Sequence, residues 1–255
     1  MASLGQGVRP YLRTLAGWNW NRQNEALKLG LSLQEETLTE MLLLQIARDC
    51  APLGLKVRMF TRAQEHANGA DWEWTFKSTH CTIALRVQAK RLYMSGPNAG
   101  RYGGWKHLGT QATKLIADAG TDYFPIFVFY NNYASQVFSR KPSHGFHGPS
   151  QWGCAFANAQ DIEKSLSNWP EDIVDKMHPW HELFDLCTVA GRRNRLPGEE
   201  RGPEAEKSSA VSVRNPLWLE PYGDQQGVEE YLEERGLAGV AYFDASEADV
   251  NWSSE

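Results

Sequence analysis

A chain of 255 residues with 42% hydrophobic and 11% aromatic side chains is long and apolar enough to bury a sizeable core in one domain with an appendage, which excludes a disordered class. Its net charge of −5 hides an asymmetry: residues 1–150 carry 17 Lys and Arg against 10 Asp and Glu, while residues 151–255 carry 9 against 21. A positive half suits a polyanion such as nucleic acid, whose condensed counterions Lys and Arg displace, unless the charge only decorates a solvated surface.

No apolar run approaches the roughly 20 residues of a membrane-spanning helix. The N-terminal stretch has no apolar segment with a small-residue cleavage site. The four cysteines (Cys50, Cys81, Cys154, Cys187) form no CxxC pair. A cytoplasmic protein with reduced, mostly buried thiols and no structural zinc is expected.

Along the chain, residues 8–30 mix basic and aromatic residues and predict one or two short helices. Trp18 and Trp20, among Arg9, Arg13 and Arg22, either close the edge of the core or offer a stacking surface to bases. Residues 33–49 (LQEETLTEMLLLQIARD) place Leu38, Met41, Leu42 and Ile46 at helical spacing, and APLG at 51–54 ends that helix. LKVRMF at 55–60 alternates apolar and basic residues and predicts a strand. A polar loop containing Glu65, solvated or backing a nearby site, leads to Gly69.

Two strong strands follow, DWEWTF and CTIALRVQAKRLYM, joined by a turn at KSTH. SGPNAGRYGG is a Gly-rich loop without the GK[ST] of a phosphate-binding P-loop, and WKHLGTQATKLIADAG predicts a helix ending at Gly120. YFPIFVFYNN (123–132) is the near-continuous apolar run of a strand buried on both faces. GCAFANA then predicts a strand and DIEKSLSNW a short helix. EDIVDKMHPWHELFDLC is expected to stay helical as far as His178, before Pro179. Residues 191–214, charged and containing Gly, Pro and Ser, read as a linker or mobile loop. Residues 215–255 suggest one helix and one strand, able to dock onto a domain of residues 1–190 but not to fold alone. The order helix–strand–strand–strand–helix–strand–strand predicts an α/β core.

Parity sorts the hairpin. With a turn at 77–80, Phe76 opposes Cys81, Glu73 opposes Ala84 and Asp71 opposes Arg86. Asp71, Glu73, Thr75, Arg86, Gln88 and Lys90 then share one face, while Trp72, Trp74, Phe76, Leu85 and Val87 share the other, a core face. The polar face is either the wet side of an ordinary hairpin or a site. Clustered carboxylates bind hard cations such as Mg²⁺, and a lysine beside them stabilises the charge that develops on a phosphate.

The residues GAD, then QAK after a spacer, preceded by a helix bearing glutamates, resemble the PD-(D/E)XK nuclease superfamily, in the glutamine variant of Mrr-type restriction endonucleases. The resemblance covers roughly residues 30–135. It implies a restriction-endonuclease-like fold, a mixed central sheet flanked by helices, here with a small C-terminal appendage. It also implies metal-dependent hydrolysis of phosphodiester bonds, most often in DNA, with Mg²⁺ or Mn²⁺ as cofactor. By that resemblance Asp71 and a helix acid, Glu36 or else Glu40, hold the metal, Gln88 orients a water or ligand, and Lys90 stabilises the transition state. Ala70 stands in the Pro position of the motif. Glu73, on the face of Asp71, is the replacement for the charge that Gln88 lacks. By analogy the setting is bacterial restriction or phage defence, with a homodimer or a partner protein of a defence system.

Around this motif Arg86 is expected to hold a phosphate or pair with Asp71, and Arg91 to point away as a surface charge. Arg101, Lys106 and His107 in the Gly-rich loop are backbone-phosphate contacts or a basic surface. The pairs His144/His147 and His178/His181 lack the further ligands that zinc requires. A rival reading is a nucleic-acid-binding or assembly module that keeps the fold without cutting. A third is a small-molecule enzyme or protein-interaction domain. The acidic tail is expected to occlude the basic half.

Overall fold

The computed structural model describes residues 7–53, 55–61, 72–77, 82–103, 108–121, 123–132, 148–165, 167–187, 228, 231, 232 and 239–244. Its centre is one mixed sheet of seven strands: β1 (Lys56–Thr61), β2 (Trp72–Lys77), β3 (Thr82–Arg91), β4 (Phe124–Tyr130), β5 (Cys154–Asn158), the two-residue β6 (His178–Pro179) and β7 (Gly239–Asp244). The spatial order is β1-β7-β2-β3-β4-β5-β6. Helices α1 (Val8–Lys28), α2 (Glu35–Cys50), α3 (Leu108–Ala119) and the short α4 (Pro149–Trp152), α5 (Ala159–Glu163) and α6 (Pro170–Ile173) flank it. The α/β class with a restriction-endonuclease-like mixed sheet is therefore the observed one. No described helix is long and apolar enough to cross a membrane.

Residues 8–28 form a single helix rather than two. Its buried stripe runs Val8, Leu12, Leu15, Ala16, Asn19, Trp20, Gln23, Ala26, at the three- and four-residue spacing of one helix face. Asn19 and Gln23 interrupt the apolar pattern but not the helix, because each finds a partner inside. Asn19 Nδ2 donates to the Gly153 carbonyl at 2.6 Å and Gln23 Nε2 to that of Asn131 at 3.0 Å. Trp20 is buried and Trp18 packs partly against the core, with the Arg22 guanidinium 5.8 Å from the Trp18 ring centre.

Helix α1 ends in a Schellman motif: Leu31 N–H donates to Ala26 O at 2.8 Å and Gly30 N–H to Leu27 O at 3.0 Å. Gly30 supplies the required left-handed conformation at φ 71. A Cβ there would meet nothing within 4 Å, so Gly30→Ala adds backbone strain alone. We expect it to cost about 1–2 kcal/mol, read as a lower urea midpoint at unchanged m-value.

The β2–β3 register pairs Glu73 with Arg86, Thr75 with Ala84 and Lys77 with Thr82. It is offset by two residues from the sequence expectation because the last pair is Lys77 with Thr82 rather than Phe76 with Cys81, which moves the four-residue connection along by one residue. An offset of two leaves every side chain on its expected face. Trp72, Trp74, Phe76, Leu85 and Val87 enter a core with α1, α2, Trp180 and Leu183. There Phe76 stacks on Phe243 at 4.4 Å between ring centres. The opposite face of β4 and β5 packs Phe127, Phe129, Ala155 and Ala157 under α3 and α5. Burial pushes the Cys50 thiol up to about 12 and that of Cys154 well above the ordinary range, and both are free and buried.

The docking of the C-terminal strand takes a specific form. β7 lies between β1 and β2, antiparallel to the first and parallel to the second, so the sheet takes strands from both sides of the 191–214 segment. The expected helix up to His178 is instead broken into α6, a 3-10 turn (Val174–Lys176) and β6. Met177 is already extended, at φ −87 and ψ 144, and the residue before Pro179 is biased the same way.

Candidate active site

The end of β3 brings Lys90 and Arg91 against the first turn of α2. β3 and β4 run parallel, with Lys90 opposite Phe129 and Arg91 opposite Tyr130. The first turn of α2 is fastened to this end by Thr39, whose Oγ1 donates to the Glu35 carbonyl at 2.9 Å and accepts from the Tyr130 hydroxyl at 2.6 Å. Full burial raises the Tyr130 phenol, despite the opposing Thr39 hydrogen bond, so it keeps the proton it donates.

This clamp puts the Glu35 carboxylate across the strand end. Its Oε2 lies 3.7 Å from Lys90 Nζ, and its Oε1 accepts the Arg91 backbone N–H at 3.0 Å. Lys90 is 8% exposed, and a Cβ at Gly103 would lie 3.8 Å from its Cδ. The methylenes are thus sheltered while the ammonium is held at the helix acid. Gln88, two residues earlier on the same face, is half-buried.

The acid that meets Lys90 is therefore Glu35, not Glu36 or Glu40. Both of those are exposed; partial burial and then the Glu36 charge raise the Glu40 carboxyl. Asp71, Glu65, Lys106, His107, His144 and His147 lie outside the described residues.

Glu73 has a different setting from Lys90. It is fully buried and accepts a 2.9 Å hydrogen bond from the Tyr231 hydroxyl. Arg86 Nη1 lies 4.0 Å from the same Oε2 atom, and Arg86 is 7% exposed. Val228, Tyr231 and Leu232 form a small cluster with Val240 and Tyr242 of β7. Burial, then the Glu73 charge, pushes the Tyr231 phenol far up, which keeps it a donor. The hairpin's polar face is thus neither wet nor one cluster. Glu73 and Arg86 form a covered ion pair about 13 Å along β3 from Lys90, at about 3.3 Å per residue.

Arg91 and Arg101, on segments that pair beyond the end of β3, stack on rings. Arg91, expected to point away as surface charge, lies 4.2 Å over the Tyr93 ring and donates from Nη1 to Ser32 Oγ at 2.6 Å. Arg101 lies 4.3 Å over Trp169. Their segments are joined by backbone bonds from Tyr93 N to Arg101 O (3.0 Å) and Gly100 N to Tyr93 O (2.8 Å).

His178 faces Glu182, Nδ1 to Oε2 at 3.6 Å. His181 is buried; burial, then Arg9, with Glu182 opposing and Arg13 adding, holds its imidazole down at about 4. It is neutral in the fold and titrates near 6.5 when unfolded, so the unfolded chain binds more protons between those values. Stability from this group is complete above about pH 6.5 and falls as pH drops toward 4. About 2 kcal/mol should be lost between pH 6.5 and 5 at about 1.4 kcal/mol per unit, read by urea denaturation. An unchanged pH slope in His181→Gln excludes His181 as the source.

No group of three His, Cys, Asp or Glu that could hold a metal occurs among the described residues. Mg²⁺ needs fewer, since it is held by one or two carboxylates with waters and substrate phosphates. Glu35 and the Gln88 carbonyl are of that donor type, whereas Glu73 is bonded to Tyr231 and faces Arg86.

The model of a family described as "Family of unknown function (DUF6615)" matches residues 8–249, nearly the whole chain. No curated protein matches it, and no solved structure does.

Proposed function

The chain belongs to that family, and because the family brings no activity with it, we propose from the site itself that this protein is a metal-dependent nuclease hydrolysing phosphodiester bonds, with DNA as the first substrate to test. The observation that carries the reading is the Glu35–Lys90 contact of 3.7 Å, which joins the helix preceding the sheet to the Lys of Gln88-x-Lys90 at the end of β3. The excess of Lys and Arg in residues 1–150 supports a polyanionic substrate.

In this mechanism Glu35 and Asp71 would hold Mg²⁺ or Mn²⁺, which would supply Lewis-acid polarisation of the phosphate and of water. Lys90 turns from Glu35 toward the phosphate and places its charge where negative charge grows. Gln88 orients the attacking water through its amide. Arg101 and Arg91 bind flanking backbone. The reading extends by analogy to a cytoplasmic enzyme of restriction or phage defence, alone, as a homodimer or with a partner protein.

A second reading rests on a specific observation. Gln88 is neutral, and Glu73, its candidate replacement, is buried against Tyr231 and Arg86. A chain with this carboxylate set can bind nucleic acid without cutting it. The test is incubation of the full chain with single- and double-stranded DNA and RNA, with Mg²⁺, Mn²⁺ or chelator, over a range of salt. Cleavage that needs the metal supports the nuclease. Salt-dependent binding without cleavage in any condition supports the module.

A further inference from the structure

Beside the Lys90 end of β3 lies a cavity of about 260 Å³, between the last turns of α1, residues 31–33 and residues 91–98. Its walls are of two kinds. Leu27, Leu31 and Met94 are apolar and Asn98 brings a side-chain amide, while Asn132 Nδ2 already donates to Gln23 Oε1 and to Leu92 O, and Gln23 Nε2 to Asn131 O. Such a lining suits a flat ring with hydrogen-bonding edges. The volume lies below the range of about 300–1,000 Å³ typical of drug-sized ligands, which favours a single base over anything larger.

The rim supplies an aromatic–cation stack. Arg91 lies over Tyr93 at 4.2 Å, a planar pair of the kind on which bases stack. Arg91 Nη1 donates to Ser32 Oγ at 2.6 Å, which holds the guanidinium in place over the ring. Glu35 ties the two places together: one carboxylate oxygen faces Lys90 Nζ and the other holds the Arg91 N–H. The cavity and the proposed phosphate site are thus separated by one peptide unit.

We propose that this cavity receives one unstacked nucleobase of the strand whose phosphate lies at Lys90, an inference that rests on the nuclease reading and specifies its substrate. A base must leave its neighbours to enter, so single-stranded or locally opened nucleic acid binds more tightly than intact duplex, which must also give up a base pair. Leu31 is 61% exposed and marks the mouth, where substitution leaves the core untouched.

The test uses the full chain with chelator and oligonucleotides carrying 2-aminopurine at one position at a time, as single strand and as duplex. Binding is followed by anisotropy and base unstacking by 2-aminopurine emission. We expect a several-fold emission change at one position near the binding site, and tighter binding of the single strand at equal salt. Tyr93→Ala should weaken binding by about tenfold or more. The filling variant Leu31→Trp should remove the emission change and weaken single-strand binding by a similar factor. Binding with unchanged emission at every position overturns the cavity assignment and leaves the nuclease reading standing. An emission response to the free 2-aminopurine nucleotide but not to the oligonucleotide also overturns it, in favour of a small-nucleotide site. A position-specific response in a chain that cleaves nothing under any metal upholds the cavity and sinks the nuclease.

Discussion

Lys90→Met should lower metal-dependent cleavage about 10²–10³-fold, the usual cost of removing one preorganised group from developing oxyanion charge. Methionine is the informative replacement because it fills the sheltered path of the lysine stem beside Gly103 and removes only the ammonium. The change also relieves the Glu35 carboxylate of its cation at 3.7 Å, so stability should move by less than about 1 kcal/mol, as for a partly exposed pair. Glu35→Gln should cut the rate to a similar degree, with a higher metal concentration for half-maximal rate, because it removes a metal carboxylate and keeps the acceptor for the Arg91 N–H. Single-turnover rates with saturating enzyme, measured across a Mg²⁺ titration, separate the two effects. Equal rates for wild type and Lys90→Met would remove the strand end from the mechanism altogether.

Glu73→Ala is expected to destabilise the fold by about 3–5 kcal/mol, since it leaves the Arg86 guanidinium buried without the carboxylate opposite it. Against the 5–15 kcal/mol typical of a domain, that loss moves much of the population toward the unfolded state. Tyr231→Phe removes the hydrogen bond to Glu73 and the longer one shared with the Tyr123 hydroxyl at 3.3 Å and should cost about 1.5–3 kcal/mol, the range for a bond to a charged group. Urea denaturation of both variants beside wild type reads these values. A Glu73→Ala chain that is as stable as wild type yet inactive would restore Glu73 to the metal site and refute its structural assignment.

Those two expectations divide a face that the sequence presents as one. Parity correctly groups Glu73, Arg86, Gln88 and Lys90, because strand alternation survives an offset of two. It says nothing about what lies above the face. The cover over Glu73 comes from Tyr231, 158 residues away in the chain, and local pattern carries no trace of such a contact. The helix acid, by contrast, was within reach. Leu38, Leu42 and Ile46 follow Glu35 at three, seven and eleven residues, which puts Glu35 on the centre line of the buried stripe, while Glu36 shares its side with exposed Glu40. A glutamate heading an apolar stripe reaches the sheet; one a residue later reaches solvent. Arg91 does point away from Lys90, as alternation expects, but not as a bare surface charge. Alternation places it opposite Lys90, but at the end of β3 that side opens onto Ser32 and Tyr93 instead of bulk water.

The position of β7 also bears on the order in which this chain can become a protein. During synthesis β2 and β3 leave the ribosome long before residues 239–244 exist, so the flank of β2 that β7 will occupy stays an open edge until those residues emerge. β1 pairs with β7 through Lys56↔Asp244 to Thr61↔Gly239, contacts of very long sequence separation, which form late and slow folding. A nascent or truncated chain therefore offers an unpaired strand to other chains, the usual start of aggregation. Removing residues 191–255 to unmask the basic half would thus take a strand out of the middle of the sheet. Charge-neutralising substitutions within 191–214 ask the same question of an intact protein.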